Sequence, residues 1–185
     1  MKARLALFLA AAGALALGTG CRQEPSSPAD TRPLPSVAAS PFVCGHVPAD
    51  AVARITGVRD PLVRGFFDLT SANGLGDGSC TAYEPDGERP KVLSILLDPT
   101  APEGEVAWEL RNGGAKPMPQ IVPGAEGYYV PDAHERTGVT AVLVRGHVRL
   151  SVVLLKGVEG RDKVADVVAL MRLIAPKLVG ERGDG

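Results

Sequence analysis

Residues 148–155 alternate: Val148, Leu150, Val152 and Leu154 share one face, while Arg149 and Ser151 take the other. That period of two predicts a half-buried strand. Residues 139–144 (VTAVLV) precede it, and Gly146, between Arg145 and His147, permits the tight turn that would make the two runs a hairpin. Farther on the period becomes helical. Val164, Val167, Val168, Met171, Ile174 and Leu178 form an apolar stripe that predicts a helix over 161–175 lying on the sheet, with Pro176 marking its end.

The remaining elements are shorter. Residues 48–56 predict a helix with Pro48 in its first turn, Gly57 as its stop, and Val52 and Ile55 facing the core. Residues 62–70, with Phe66 and Phe67, read as extended, 73–78 (NGLGDG) as a loop, and 79–83 as a strand carrying Cys80. Residues 91–97 (KVLSILL) predict a buried strand ended by Asp98 and Pro99. Residues 103–111 predict a short helix with acidic residues in the first turn, where the dipole favours them, stopped by Asn112, Gly113 and Gly114. Residues 127–130 predict a strand that sends Tyr128 and Tyr129 to opposite faces, one to the core and one to the surface.

With hairpin links and no regular βαβ alternation, this order predicts an α+β fold: a single domain whose mainly antiparallel sheet packs against a C-terminal helix and two short helices, with helices on one face. Internal repeats are absent from the sequence. Aromatic residues make up only 4% of the chain, so the core is expected to be aliphatic.

The N-terminus carries a different pattern. Lys2 and Arg4 precede the apolar run 5–17 (LALFLAAAGALAL), which is shorter than the roughly 20 residues of a membrane span and matches a signal h-region. Gly18, Thr19, Gly20 and Cys21 resemble a lipobox, although the usual Leu three positions before the cysteine is Gly18 here. The expectation is a signal peptide over 1–20 and a lipid, diacylglycerol and palmitate in kind, on Cys21. An ordinary secretory signal cleaved after Ala16 or Gly20 is the alternative, and either route exports the chain. Residues 22–41 hold five prolines and four serines without apolar periodicity, which predicts a disordered tether over 21–42. The domain is then expected over 43–180, with a flexible tail at 181–185.

Export changes how charge and cysteine are read. Loss of Lys2 and Arg4 leaves 18 basic residues against 21 acidic ones, a net charge of −3, and no basic footprint for nucleic acid. With Cys21 lipidated, Cys44 and Cys80 remain as an even pair in an oxidising compartment, and a disulfide is expected.

Candidate chemistry is sparse. Gly74, Gly76 and Gly78 lack phosphate-loop spacing and precede a strand rather than a helix, and Asn73 and Asp77 lack the ligand ladder and distal Glu of a calcium loop. His46, His134 and His147 are dispersed, and Ser79, Ser94 and Ser151 sit in no nucleophile motif. No catalytic residue, metal ligand or cofactor is therefore assigned. An enzyme with a dispersed site would require His134, Asp132 and a serine to converge in a pocket. Trp108, with Arg111 one turn onward, is the candidate partner-binding pair if that helix face is open, and a core residue if a further layer covers it.

The layout resembles a family of small secreted actinobacterial lipoproteins of unknown function. The matching elements are Cys21, the 22–41 segment, Cys44 leading into the helix that ends at Gly57, Cys80 on a strand, and the C-terminal helix. That family often has an aromatic residue two positions after the second cysteine, where this chain has Ala82, with Tyr83 next. The resemblance implies no catalytic residues. The expected function is a non-catalytic envelope domain, anchored in the membrane through Cys21, that binds an envelope protein or small ligand. The alternatives are an extracytoplasmic hydrolase or metal-dependent enzyme, and a structural accessory subunit of an envelope assembly.

Overall fold

The computed structural model describes residues 30–131 and 138–180. Cys21, the expected signal peptide and the 181–185 tail lie outside them, as do Asp132 and His134. A two-stranded ribbon, β1 (Phe42–Val43) with β2 (Val47–Pro48), leads into α1 (Ala49–Thr56). Gly57 caps this helix at φ 75°, a left-handed conformation natural to glycine, and its N–H reaches the Ala53 carbonyl.

Seven antiparallel strands then form one sheet among the described residues: β3 (Leu62–Asp68), β4 (Asp77–Tyr83), β5 (Lys91–Asp98), β6 (Lys116–Pro117), β7 (Glu126–Val130), β8 (Val139–Arg145) and β9 (Val148–Leu154). Their order across the sheet is β3-β4-β5-β9-β8-β7-β6, so the β8–β9 hairpin sits in the interior. Its turn is two residues, Gly146 and His147, because Arg145 pairs with Val148. Two further α-helices lie among the described residues, α2 (Glu105–Asn112) and α3 (Lys163–Leu178). The single α+β domain with one long and two short helices is the predicted one.

Strand periodicity divides the side chains between two faces. On one, Leu93, Ile95 and Leu97 of β5, Leu150, Val152 and Leu154 of β9, and Ala141 and Leu143 of β8 are buried with Val52 and Ile55 of α1 and Met171, Ile174 and Leu178 of α3. The core is aliphatic, as expected. The Cys44–Cys80 disulfide joins the α1 lead-in to β4 with a Cα–Cα distance of 5.8 Å, and closes a sequence separation of 36.

Five expectations need correction. Helices occupy both faces rather than one: Val106 of α2 packs with Tyr128 of β7 and Val142 of β8 in a second cluster, and Val142 has the opposite parity to the core residues Ala141 and Leu143. Tyr128 is therefore buried, while Tyr129 is half-buried against the main core, so neither is simply a surface residue. The strand at β5 is not buried throughout: Val92, Leu93, Ile95 and Leu97 are, but Leu96 is exposed.

Pro176 does not end α3. It lies inside the last turn, where its missing N–H removes one bond near the terminus, and the helix continues to place Leu178 in the core.

The tether expected over 22–41 is also not free where it is described. Leu34 and Ala38 pack against the main core, Arg161 donates to the carbonyls of Asp30 (2.5 Å) and Arg32 (2.8 Å), and Arg54 donates to that of Pro33 (3.2 Å). The two arginines supply donors that the segment's composition could not reveal. Arg161 is itself fixed by a buried, bidentate pair with Asp166, at 2.8 and 2.5 Å.

Candidate functional site

Where β5 ends, Asp98 organises the chain that enters α2. One of its oxygens accepts from both the backbone and hydroxyl of Thr100 (2.9 and 2.6 Å), and the other accepts from Arg149 of β9 (2.7 Å). The Thr100 hydroxyl bond, with help from Arg149, holds the Asp98 carboxyl below its usual range. One residue on, the Ala101 N–H donates to the His147 carbonyl at 2.8 Å, which ties this loop to the β8–β9 turn. The loop then starts α2 at Gly104 without a side-chain cap.

On α2, Glu105 points down toward the sheet and Trp108 stays at the surface. Glu105 has a side chain only 10% exposed, its Oε1 accepts from the Tyr128 hydroxyl at 3.0 Å, and the same atom lies 3.6 Å from the Arg149 guanidinium. Burial, then this bond to Glu105, raises the Tyr128 hydroxyl well above its usual pKa, so it remains a donor. Burial draws the Arg149 guanidinium down, but Glu105 and Asp98 outweigh it and hold Arg149 above its ordinary value. The second oxygen, Oε2, is buried with no hydrogen-bond partner among the described residues. A buried acceptor left without a donor carries a desolvation cost of about 1–3 kcal/mol.

These groups border an open cleft of about 430 Å³, lined by Trp108, Glu103, Glu105, Glu109 and Arg149 together with Pro102 and Gly104. Trp108 is 55% exposed. The open reading of this helix face is thus the observed one, because among the described residues nothing covers Trp108. Arg111 is exposed but does not line the cleft; the partner of Trp108 there is the acidic face of the helix. Sequence reading missed Glu105, Asp98 and Arg149. The first-turn acidity was visible, but the i and i+4 pairing of Glu105 with Glu109 beside Trp108 gained its meaning only from β9.

The other candidates among the described residues are not brought together. His46 is half-buried against Phe67, and His147 is exposed at the hairpin turn. Ser79, Ser94 and Ser151 alternate onto the sheet face opposite the main core, in rows with Leu96 (Ser79 and Ser151) and Thr81 (Ser94). Gly78 belongs to β4 and pairs with Phe67, not with a helix N-terminus. Among the described residues, no group of three His, Cys, Asp or Glu side chains is arranged to hold a metal ion, and no helix is long and apolar enough to cross a membrane.

Comparison of the chain with protein-family models, with curated proteins and with solved structures finds no match.

Proposed function

We propose that the chain is a non-catalytic domain, anchored by lipid on Cys21 at the extracytoplasmic face of a cell membrane, that binds a small ligand or envelope partner at the Trp108 cleft. The observation that carries the binding role is Trp108 itself: a large aromatic ring left more than half exposed at a concave site that also holds a buried acceptor with no partner among the described residues. Exposed aromatic residues beside pockets are where binding energy concentrates. Anchoring is supported by the apolar run before Cys21 and by cysteine parity, since the chain has three cysteines and two are bonded to each other. The layout shared with small actinobacterial lipoproteins points the same way.

A structural accessory role is the second reading, favoured by the uncovered part of the sheet. There Phe66 of β3 is 70% exposed and Leu96 of β5 lies two strands away on the same face. Photocrosslinking separates the readings. With a photoreactive residue in place of Trp108 or of Phe66 in the full-length chain, the cleft reading expects specific adducts from position 108, and the accessory reading from position 66. Membrane fractionation tests the anchor: Cys21→Ser should move the protein to the soluble extracytoplasmic fraction, and intact membrane retention would overturn lipidation.

A further inference from the structure

We propose that the Trp108 cleft is a site for an organic cation, an alkylammonium or guanidinium head group. This deepens the binding role above and rests on it. The lining has one basic residue and three acidic ones, Glu103, Glu105 and Glu109. The basic residue, Arg149, is already engaged by Asp98 at 2.7 Å and by Glu105 at 3.6 Å, so its charge is spent within the wall of the cleft.

Glu105 supplies the independent sign of a missing donor. Its side chain is nine-tenths buried, one oxygen is satisfied by Tyr128, and the other has no partner among the described residues. Among the described residues no side chain fills that need, and because Glu105 lines the cleft, a turn of its carboxyl would present that oxygen to a donor there. An ammonium carries three N–H donors and no acceptor, which suits a wall of carboxylates. Trp108 offers the other half of the recognition: a cation over an indole face is attracted by its quadrupole, and tryptophan is the best of the aromatic residues for this.

A neutral sugar would also stack on Trp108, but it gains nothing from the surplus of carboxylates. An anion meets three like charges. The positive end of α2 opposes a cation with about half an elementary charge, which is less than those three carboxylates provide. The same ammonium chemistry exists on a lysine side chain of a partner and on a free polyamine.

Trp108 is the only tryptophan in the chain, so its fluorescence reports on this site alone. The test titrates the full-length protein with tetralysine, spermidine, Nα-acetyl-norleucine amide as the neutral isostere, and N-acetylglucosamine. The expected result is a saturable change with the two cations, weakened at high salt, and none with the neutral compounds. Tighter binding of tetralysine would assign the site to a protein partner, and of spermidine to a free polyamine. Glu105→Gln should weaken binding about tenfold, the scale of one charge-assisted hydrogen bond. Because Glu105 also braces Tyr128, the half-buried Glu109→Gln is the second variant, expected to weaken it about threefold with the fold intact by circular dichroism.

Saturation by N-acetylglucosamine but not by the cations would overturn the cation assignment and leave the binding role standing. No saturable response to either cation up to 50 mM would also overturn it. The binding role fails separately, if position 108 yields no crosslinked adduct.

Discussion

Arg161 has the most consequential single side chain outside the cleft. It neutralises Asp166, which is 4% exposed, and at the same time holds the backbone of Asp30 and Arg32. Arg161→Ala would leave Asp166 buried without a counter-charge and is expected to cost about 3–5 kcal/mol in chemical denaturation. Asp166→Asn should be milder, since it removes the charge that needs pairing. His46 sets a pH dependence of known sign. Burial and then Lys177 lower its pKa below 6.5, so the folded state favours the neutral ring. Its contribution to stability is complete above pH 6.5 and declines as pH falls from there through the lowered folded value, because the unfolded chain then binds the proton more readily. Thermal midpoints measured from pH 7.5 to 5 should therefore fall more in the native protein than in His46→Gln; equal slopes would remove His46 from the account. Neither role was legible in the sequence. Arg161 reads there as a helix-start residue and His46 as part of a turn, because their partners lie 131 and 21 positions away.

At the scale of elements, the period-two and helical patterns carried well. Val148 to Leu154 bury the predicted face, Gly146 makes the turn, and Gly57 stops α1. Local rules failed where long-range packing outweighed them, as at Pro176, which the burial of Leu178 carries past a helix end. The placement of α2 was illegible for a similar reason. Its eight residues bury only Val106, too little pattern to say which face of the sheet receives them. The β3–β4 pair depends on glycine in a way that can be measured: a Cβ at Gly65, whose φ is 104°, would sit 2.1 Å from the Ser79 carbonyl oxygen. Gly65→Ala should cost at least 2 kcal/mol through backbone strain and clash, read from the urea midpoint. The disulfide acts across elements. Replacing both Cys44 and Cys80 by Ala is expected to remove about 3–4 kcal/mol, the loop-closure entropy of a 36-residue separation.

For the whole molecule, the held segment alters the geometry of any anchor. Eight residues, 22–29, separate Cys21 from Asp30, so even fully extended they reach only about 30 Å. A lipid-anchored domain would then stand closer to the headgroups than a free twenty-residue tether allows. Leu34→Ser should loosen this attachment and raise the rate of proteolytic cleavage within 30–41, while the domain core stays resistant; an unchanged rate would show that Leu34 does not hold it. By itself the sequence determined the three helices, most of the longer strands, the aliphatic core and the α+β class, since each follows from local periodicity, whereas the short strands β1, β2 and β6 left no pattern and the pairing of Cys44 with Cys80 followed only on the premise that Cys21 carries lipid. Tertiary structure alone decided which side of the sheet receives α2, that Trp108 is exposed, and that Glu105 keeps one oxygen without a donor among the described residues. The physical reason is that exposure and hydrogen-bond satisfaction are properties of what packs against a residue, and for this helix the packing comes from strands β7, β8 and β9, with their side-chain bonds from Tyr128 and Arg149.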